Sequence, residues 1–65
     1  MEKVETTNGY DIYELSEDEC EERYYSHPTF AVFVEGETYD TVGAEETSEG
    51  SLEEAQNWCK RYSRN

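Results

Sequence analysis

Phe30-Ala31-Val32-Phe33-Val34 is the longest apolar run in the chain, and any core must form around it. Strand formers without a polar alternation read as a central strand that is buried on both faces. The chain around this strand is short. Its 65 residues make one domain, and a fold of this size exposes roughly 4,300 Å². A core so small rarely supplies more than about 3–5 kcal/mol of net stability. The formal charge of −12 must be carried on that margin, at about one net negative charge per 360 Å² of the expected surface.

The flanking sequence supplies the remaining elements. Residues 1–8 are polar and Thr-rich and are expected to fray, ending in the turn dipeptide Asn8-Gly9. Tyr10 to Leu15 reads as a first strand. Ser16 with Glu19 forms a capping box, with Leu15 placed to staple onto Cys20, so a short helix is expected over Glu17 to Tyr25. The same segment, Glu21 to Tyr25, has a second reading as a strand paired with the first. His27-Pro28 interrupts the helix, since the residue before proline leaves the α region. Thr29 to Val34 is the second strand. After a turn at Glu35-Gly36-Glu37, Thr38 to Val42 returns as an antiparallel third strand. Gly43 to Gly50 reads as a polar loop. Ser51 and Glu54 form another capping box, opening a helix over Leu52 to Tyr62. Its stripe of Leu52, Ala55, Cys59 and Tyr62, with Trp58 at the edge, is expected to pack on the sheet. The expected fold is α+β: a three-stranded antiparallel sheet packed by a C-terminal helix, with a short helix between strands one and two.

The stretch "ELSEDECEE" puts six carboxylates into nine residues, from Glu14 to Glu22. Glu17, Asp18 and Glu19 fall in a first helical turn, where the helix dipole favours each by about 0.3–1 kcal/mol. Glu21 and Glu22 have no such excuse. They make like-charge pairs with Glu17, Asp18 and Glu19 that cost about 0.2–0.5 kcal/mol each, and only Glu19–Arg23 offers relief. Helix stability alone does not select this arrangement.

Little catalytic chemistry is legible. His27 is the one histidine, and a Cys20–His27 nucleophile pair would need a low thiol pKa, which the acids around Cys20 oppose. "SEDECEE" offers oxygens but lacks the alternating ligands and central glycine of a calcium loop. Paired carboxylates could serve acid–base chemistry, but a domain this small lacks the walls of a substrate pocket. No enzyme activity, cofactor or metal is therefore expected. Cys20 and Cys59 stand in no metal-ligand spacing, and reduced thiols are expected, with a Cys20–Cys59 disulfide the other possibility. The start, "MEKVETTNGY", has no signal-peptide pattern, and the longest apolar run is too short to span a bilayer, so a cytoplasmic location is expected.

Charge is what remains. Strong acidity disfavours direct contact with nucleic acid or an anionic membrane and favours a basic partner, or serves solubility alone. The expected contact surface takes Glu14, Glu17, Asp18, Glu21 and Glu22 from the first cluster and Glu35, Glu37 and Asp40 from the turn and its flank. Glu45, Glu46 and Glu49 extend it, with Tyr24 and Tyr39 as aromatic contacts. Carboxylates two apart on a strand lie about 6.6–6.8 Å apart, and those four apart on a helix about 6 Å. A duplex carries one charge per ~1.7 Å of axis over both strands. A folded acidic array therefore approximates a short run of phosphates, which Arg and Lys can grip in the same manner. Fourteen Glu against three Asp disfavour salt adaptation as the origin of the charge.

A compact acidic chain bearing "ELSEDECEE", "VEGETYD" and "GAEETSEGSLEEA" resembles the small anti-CRISPR proteins of phages, most of all the type I-C anti-CRISPR inhibitors. The likeness spans the whole chain in size, charge and layout, and it transfers no individual residues. It implies a DNA mimic in the cytoplasm of a bacterial host. Its partner would be a basic nucleic-acid-binding protein, the PAM-reading large subunit of a type I-C Cascade. The other reading is a non-mimetic acidic module, antitoxin-like or an adaptor, that neutralises some other basic protein.

Overall fold

Phe30–Val34 is the inner strand that its composition requires, with neighbours on both sides. The structure, a computed structural model, describes residues 1–37 and 44–65. Its elements are β1 (Glu2–Thr7), β2 (Tyr10–Glu14), α1 (Glu17–Glu22), β3 (Phe30–Val34), β4 (Thr47–Glu49) and α2 (Leu52–Arg61). The strands form one antiparallel sheet in the order β1-β2-β3-β4. The fold is α+β with a C-terminal helix packed on an antiparallel sheet, as expected. It has four strands rather than three among the described residues, and the short helix lies between β2 and β3.

Two strands come from segments expected to be irregular. Residues 2–7 are β1 and not a frayed end. Asn8 (φ 51°) and Gly9 (φ 87°) both adopt left-handed backbone, as a two-residue hairpin turn matched to strand twist requires. Backbone pairing to β2 then orders a segment whose apolar content is Met1 and Val4 alone. Thr47–Glu49 is β4, an edge strand of three residues paired with Phe30–Val32, where a loop was expected. The strand expected over Thr38 to Val42 lies outside the described residues.

Alternation along β2 and β3 divides the core between two faces. Tyr10, Ile12 and Val32 pack beneath Ala55 and Cys59 of α2, with Phe30, Val34, Leu52 and Trp58 around them. On the other face Ala31 and Phe33 pack against Leu15 and Cys20, bordered by Met1, Tyr13, Tyr25 and Ala44. Cys20 and Cys59 thus belong to opposite faces, and both are free thiols. The expected apolar stripe of α2 is therefore core, with one exception: Tyr62 is 52 % exposed. It follows the last helical turn and leans its ring on Trp58 at a tilt of 41°, centroids 4.8 Å apart.

Asp11 is only 3 % exposed, although it lies between buried Tyr10 and Ile12. Its carboxylate accepts from the Thr6 hydroxyl and, at 3.0 Å, from the Gly36 N–H. One buried acid thereby ties β1 to the turn after β3. Burial is the largest single influence on its carboxyl and pushes the pKa up; Thr6, Gly36 and the charge of Lys3 together bring it below the ordinary value. The C-terminal tail closes the same end of the sheet. Tyr10 Oη donates to the Tyr62 carbonyl at 2.6 Å, and the Arg64 N–H donates to the Asn8 carbonyl at 3.0 Å. Gly9 is required there twice over, by its positive φ and because a Cβ would lie 2.8 Å from Arg64 Cβ.

Candidate binding surface

The acid-rich helix α1 is held by its start. Ser16 Oγ accepts from the Glu19 N–H at 3.2 Å, and the Ser16 N–H donates to Glu19 Oε1 at 2.8 Å. This is the reciprocal capping box that the sequence specifies, and Leu15 and Cys20 share one buried cluster as the expected staple. At α2, Ser51 accepts from the Glu54 N–H at 3.1 Å, but the return bond to the Ser51 backbone is replaced by a side-chain contact of 3.3 Å. Glu19 carries a second load: its Oε2 receives the Met1 ammonium group at 2.7 Å. That bond, followed by the Ser16 N–H, holds the Glu19 carboxyl at about 2, against an ordinary 4.5. The expected Glu19–Arg23 pair does not form.

The helix ends at Glu22, three residues earlier than expected. Tyr24 N–H donates to the Glu21 carbonyl at 3.2 Å and Tyr25 N–H to the Cys20 carbonyl at 2.8 Å. These two bonds form a Schellman cap, a closure whose left-handed residue is usually glycine. Here it is Tyr24, with φ 59° and 97 % of its surface exposed. The cap also displaces the alternative strand over Glu21 to Tyr25. Tyr25 points the other way, packing beside Cys20 and donating its hydroxyl to Glu45 Oε1 at 2.9 Å.

Of the expected contact residues, α1 contributes Glu17, Asp18, Glu21 and Glu22, all exposed, with Tyr24 directly after them. Tyr25 brings Glu45 to this region. Glu14 and Glu49 fall elsewhere, flanking Phe30 in one cross-strand row on the face covered by α2. Exposed Glu35 and Glu37 stand at the opposite end of the sheet, where Glu35 N–H donates to the Gly9 carbonyl. Glu46 is exposed beside β3, its N–H on the Val32 carbonyl. Tyr39 and Asp40 lie outside the described residues. The expected surface is thus one coherent patch around α1 and several outliers. Sequence reasoning missed Glu2, which stands directly opposite Glu14; the Asn-Gly turn could have signalled that hairpin.

Among the described residues, the one ion pair within 4 Å is that of Met1 with Glu19. No Lys or Arg of the described chain neutralises a carboxylate at that range. Nor, among the described residues, do any three His, Cys, Asp or Glu side chains gather where they could hold a metal ion, and no described helix is long and apolar enough to cross a membrane. The Cys59 thiol is pushed up by burial and then by the charge of Glu5, which opposes thiolate chemistry there. The chain matches no protein-family model, and neither the curated proteins nor the solved structures contain a match to it.

Proposed function

We propose that the protein is a stoichiometric inhibitor that imitates DNA and occupies the DNA-binding site of a type I-C Cascade, on its PAM-reading large subunit, in the cytoplasm of a bacterial host. The observation that carries this reading is the lack of internal neutralisation: among the described residues, no Lys or Arg forms an ion pair with any carboxylate. A chain of −12 charge whose described acids form no ion pair with Lys or Arg holds most of them available for cations of another molecule. The α1 region supports the reading further. Glu21 and Glu22 lie near the negative end of the helix dipole, with no basic residue in the last turn. Tyr24 beside them offers an exposed ring on which a guanidinium can stack.

The test is duplex DNA binding by a type I-C Cascade, with the protein titrated in at two salt concentrations. The expected result is displacement that saturates stoichiometrically, weakens at higher salt, and is lost when Glu21 and Glu22 are both changed to Lys. A protein that neither binds Cascade nor alters its DNA binding ends this proposal. The spread of Glu35, Glu37 and Glu49 away from α1 favours a second reading, a non-mimetic acidic module for another basic protein. Such a module would bind its partner alongside DNA, without competition.

A further inference from the structure

A cavity of about 350 Å³ opens where β1 begins and β2 ends, lined by Met1, Glu2, Glu14, Leu15, Ser16 and His27. Its two carboxylates are brought together by an irregularity in the hairpin. From the turn, Thr7 pairs with Tyr10, Thr6 with Asp11 and Glu5 with Ile12. Continued unbroken, that register would set Lys3 opposite Glu14, an opposite-charge pair that stabilises a sheet. A bulge at Val4 shifts the pairing instead, so Lys3 faces Tyr13 and Glu2 faces Glu14. Residues directly opposed in this way have Cβ atoms about 4.5–5.5 Å apart, and like charges there are destabilising. Bulges commonly re-aim a side chain beside a functional site. Neither the Glu2 nor the Glu14 carboxylate has a hydrogen-bond or ion-pair partner among the described residues, and the nearby Met1 ammonium is taken by Glu19.

We propose that this cavity receives one arginine side chain of the basic partner, an inference that rests on the reading of the protein as a binder of basic proteins. The volume is near the lower end of the ~300–1,000 Å³ typical of small-ligand sites, which suits a single side chain. Two opposed carboxylates accept the planar guanidinium fork through charge-assisted bonds. A lysine ammonium is a compact point charge and engages the two carboxylates less completely. A metal ion is a poorer occupant, since Glu2, Glu14 and His27 do not form a ligand group.

The test uses the whole chain, isotope-labelled, titrated with N-acetyl-arginine-methylamide at constant ionic strength and followed by amide chemical shifts. Saturable shifts confined to Glu2, Glu14, Leu15, Ser16 and His27 are expected. Binding should be at least threefold weaker for the blocked lysine and at least tenfold weaker in Glu14→Gln. Glu2→Gln is a second variant, and amides distant from the cavity report whether each variant keeps its fold. Glu53→Gln, on α2, should bind as the parent does. Shifts that stay linear, spread over all the acids, or persist undiminished in both folded variants overturn the site. Spermidine binding tenfold tighter than the blocked arginine also overturns it, by assigning the cavity to a free polyamine. Cascade inhibition that survives Glu2→Gln/Glu14→Gln together leaves the inhibitor reading standing and removes this one. Saturable arginine binding without any effect on Cascade does the reverse.

Discussion

The two helices of this protein cover opposite faces of one sheet, and their ends are built by opposite rules. Over ten residues α2 places Glu53 and Glu54 in its first turn and Lys60 and Arg61 in its last, following the helix dipole at both ends. Its face of the sheet is reinforced by aromatic contacts of Tyr10 with Trp58 and of Trp58 with Tyr62. In its six residues α1 obeys the dipole only at the start. Its last turn carries Glu21 and Glu22, and its cap forces a tyrosine into the left-handed region. Since α2 shows that the chain can supply basic residues at a helix end, the departures in α1 call for a reason other than folding. They coincide with the exposed, unneutralised part of the surface, as the proposed binding role would require if it conflicts with stability.

The comparison can be broken most severely through the core that both faces share. Phe33→Ala removes the largest buried side chain of the α1 face at a cost of about 3–5 kcal/mol. In a domain of this size that is the whole expected margin. Far-ultraviolet circular dichroism of the variant should therefore show a largely unfolded chain at 25 °C.

Acid titration separates the helices next. Glu19 has a pKa of about 2 in the folded chain against an ordinary 4.5, so its contribution is fully present above about 4.5 and is lost as the pH falls toward 2. Urea midpoints measured across that window should fall in the parent protein. In Glu19→Gln the corresponding part of the slope should vanish, because the amide keeps the acceptor for the Ser16 N–H but loses the charge that meets the Met1 ammonium. A variant as acid-sensitive as the parent would show that the α1 cap does not supply this term.

Opposite in sign is Tyr24→Gly. A left-handed position costs a residue with a Cβ roughly 1–2 kcal/mol, so the glycine variant should gain about 1 kcal/mol in urea unfolding while losing affinity for the partner. Stability and binding that rise together would overturn the explanation of α1 given above. Comparable in size but confined to the other face, Tyr10→Phe removes the bond to the Tyr62 carbonyl and should cost about 0.5–1.5 kcal/mol, loosening the tail on the α2 side only.

Legibility followed the same division between local and non-local causes. Ser16 with Glu19 and Leu15 with Cys20 lie within five residues of each other, so the start of α1 could be read directly. The apolar run of β3 and the stripe of α2 were equally plain, the first because burial on both faces makes it continuous, the second because burial on one face imposes a period. β1 was obscured since almost nothing in it is apolar; its order comes from backbone bonds to β2 and from the left-handed Asn8-Gly9 turn. β4 is three residues of Thr, Ser and Glu, too short for any periodicity. The early end of α1 was hidden because its cap uses Tyr24 where the local signal would be glycine or asparagine. The acids of the candidate surface were visible one by one. Their distribution was not, because only the sheet register decides that Glu14 meets Glu2 while Glu35 stands at the far end.

The clasp between Tyr10 and Tyr62 has a kinetic meaning. It joins positions 52 residues apart, so the entropy of closing nearly the whole chain is spent before the contact returns any energy. Such a contact forms on the late side of the folding barrier, once the hairpins that position it already exist. Removing it should leave the refolding rate almost unchanged and speed unfolding. The C-terminal tail then acts less as a part of the folding nucleus than as a latch that sets how long each folded molecule survives.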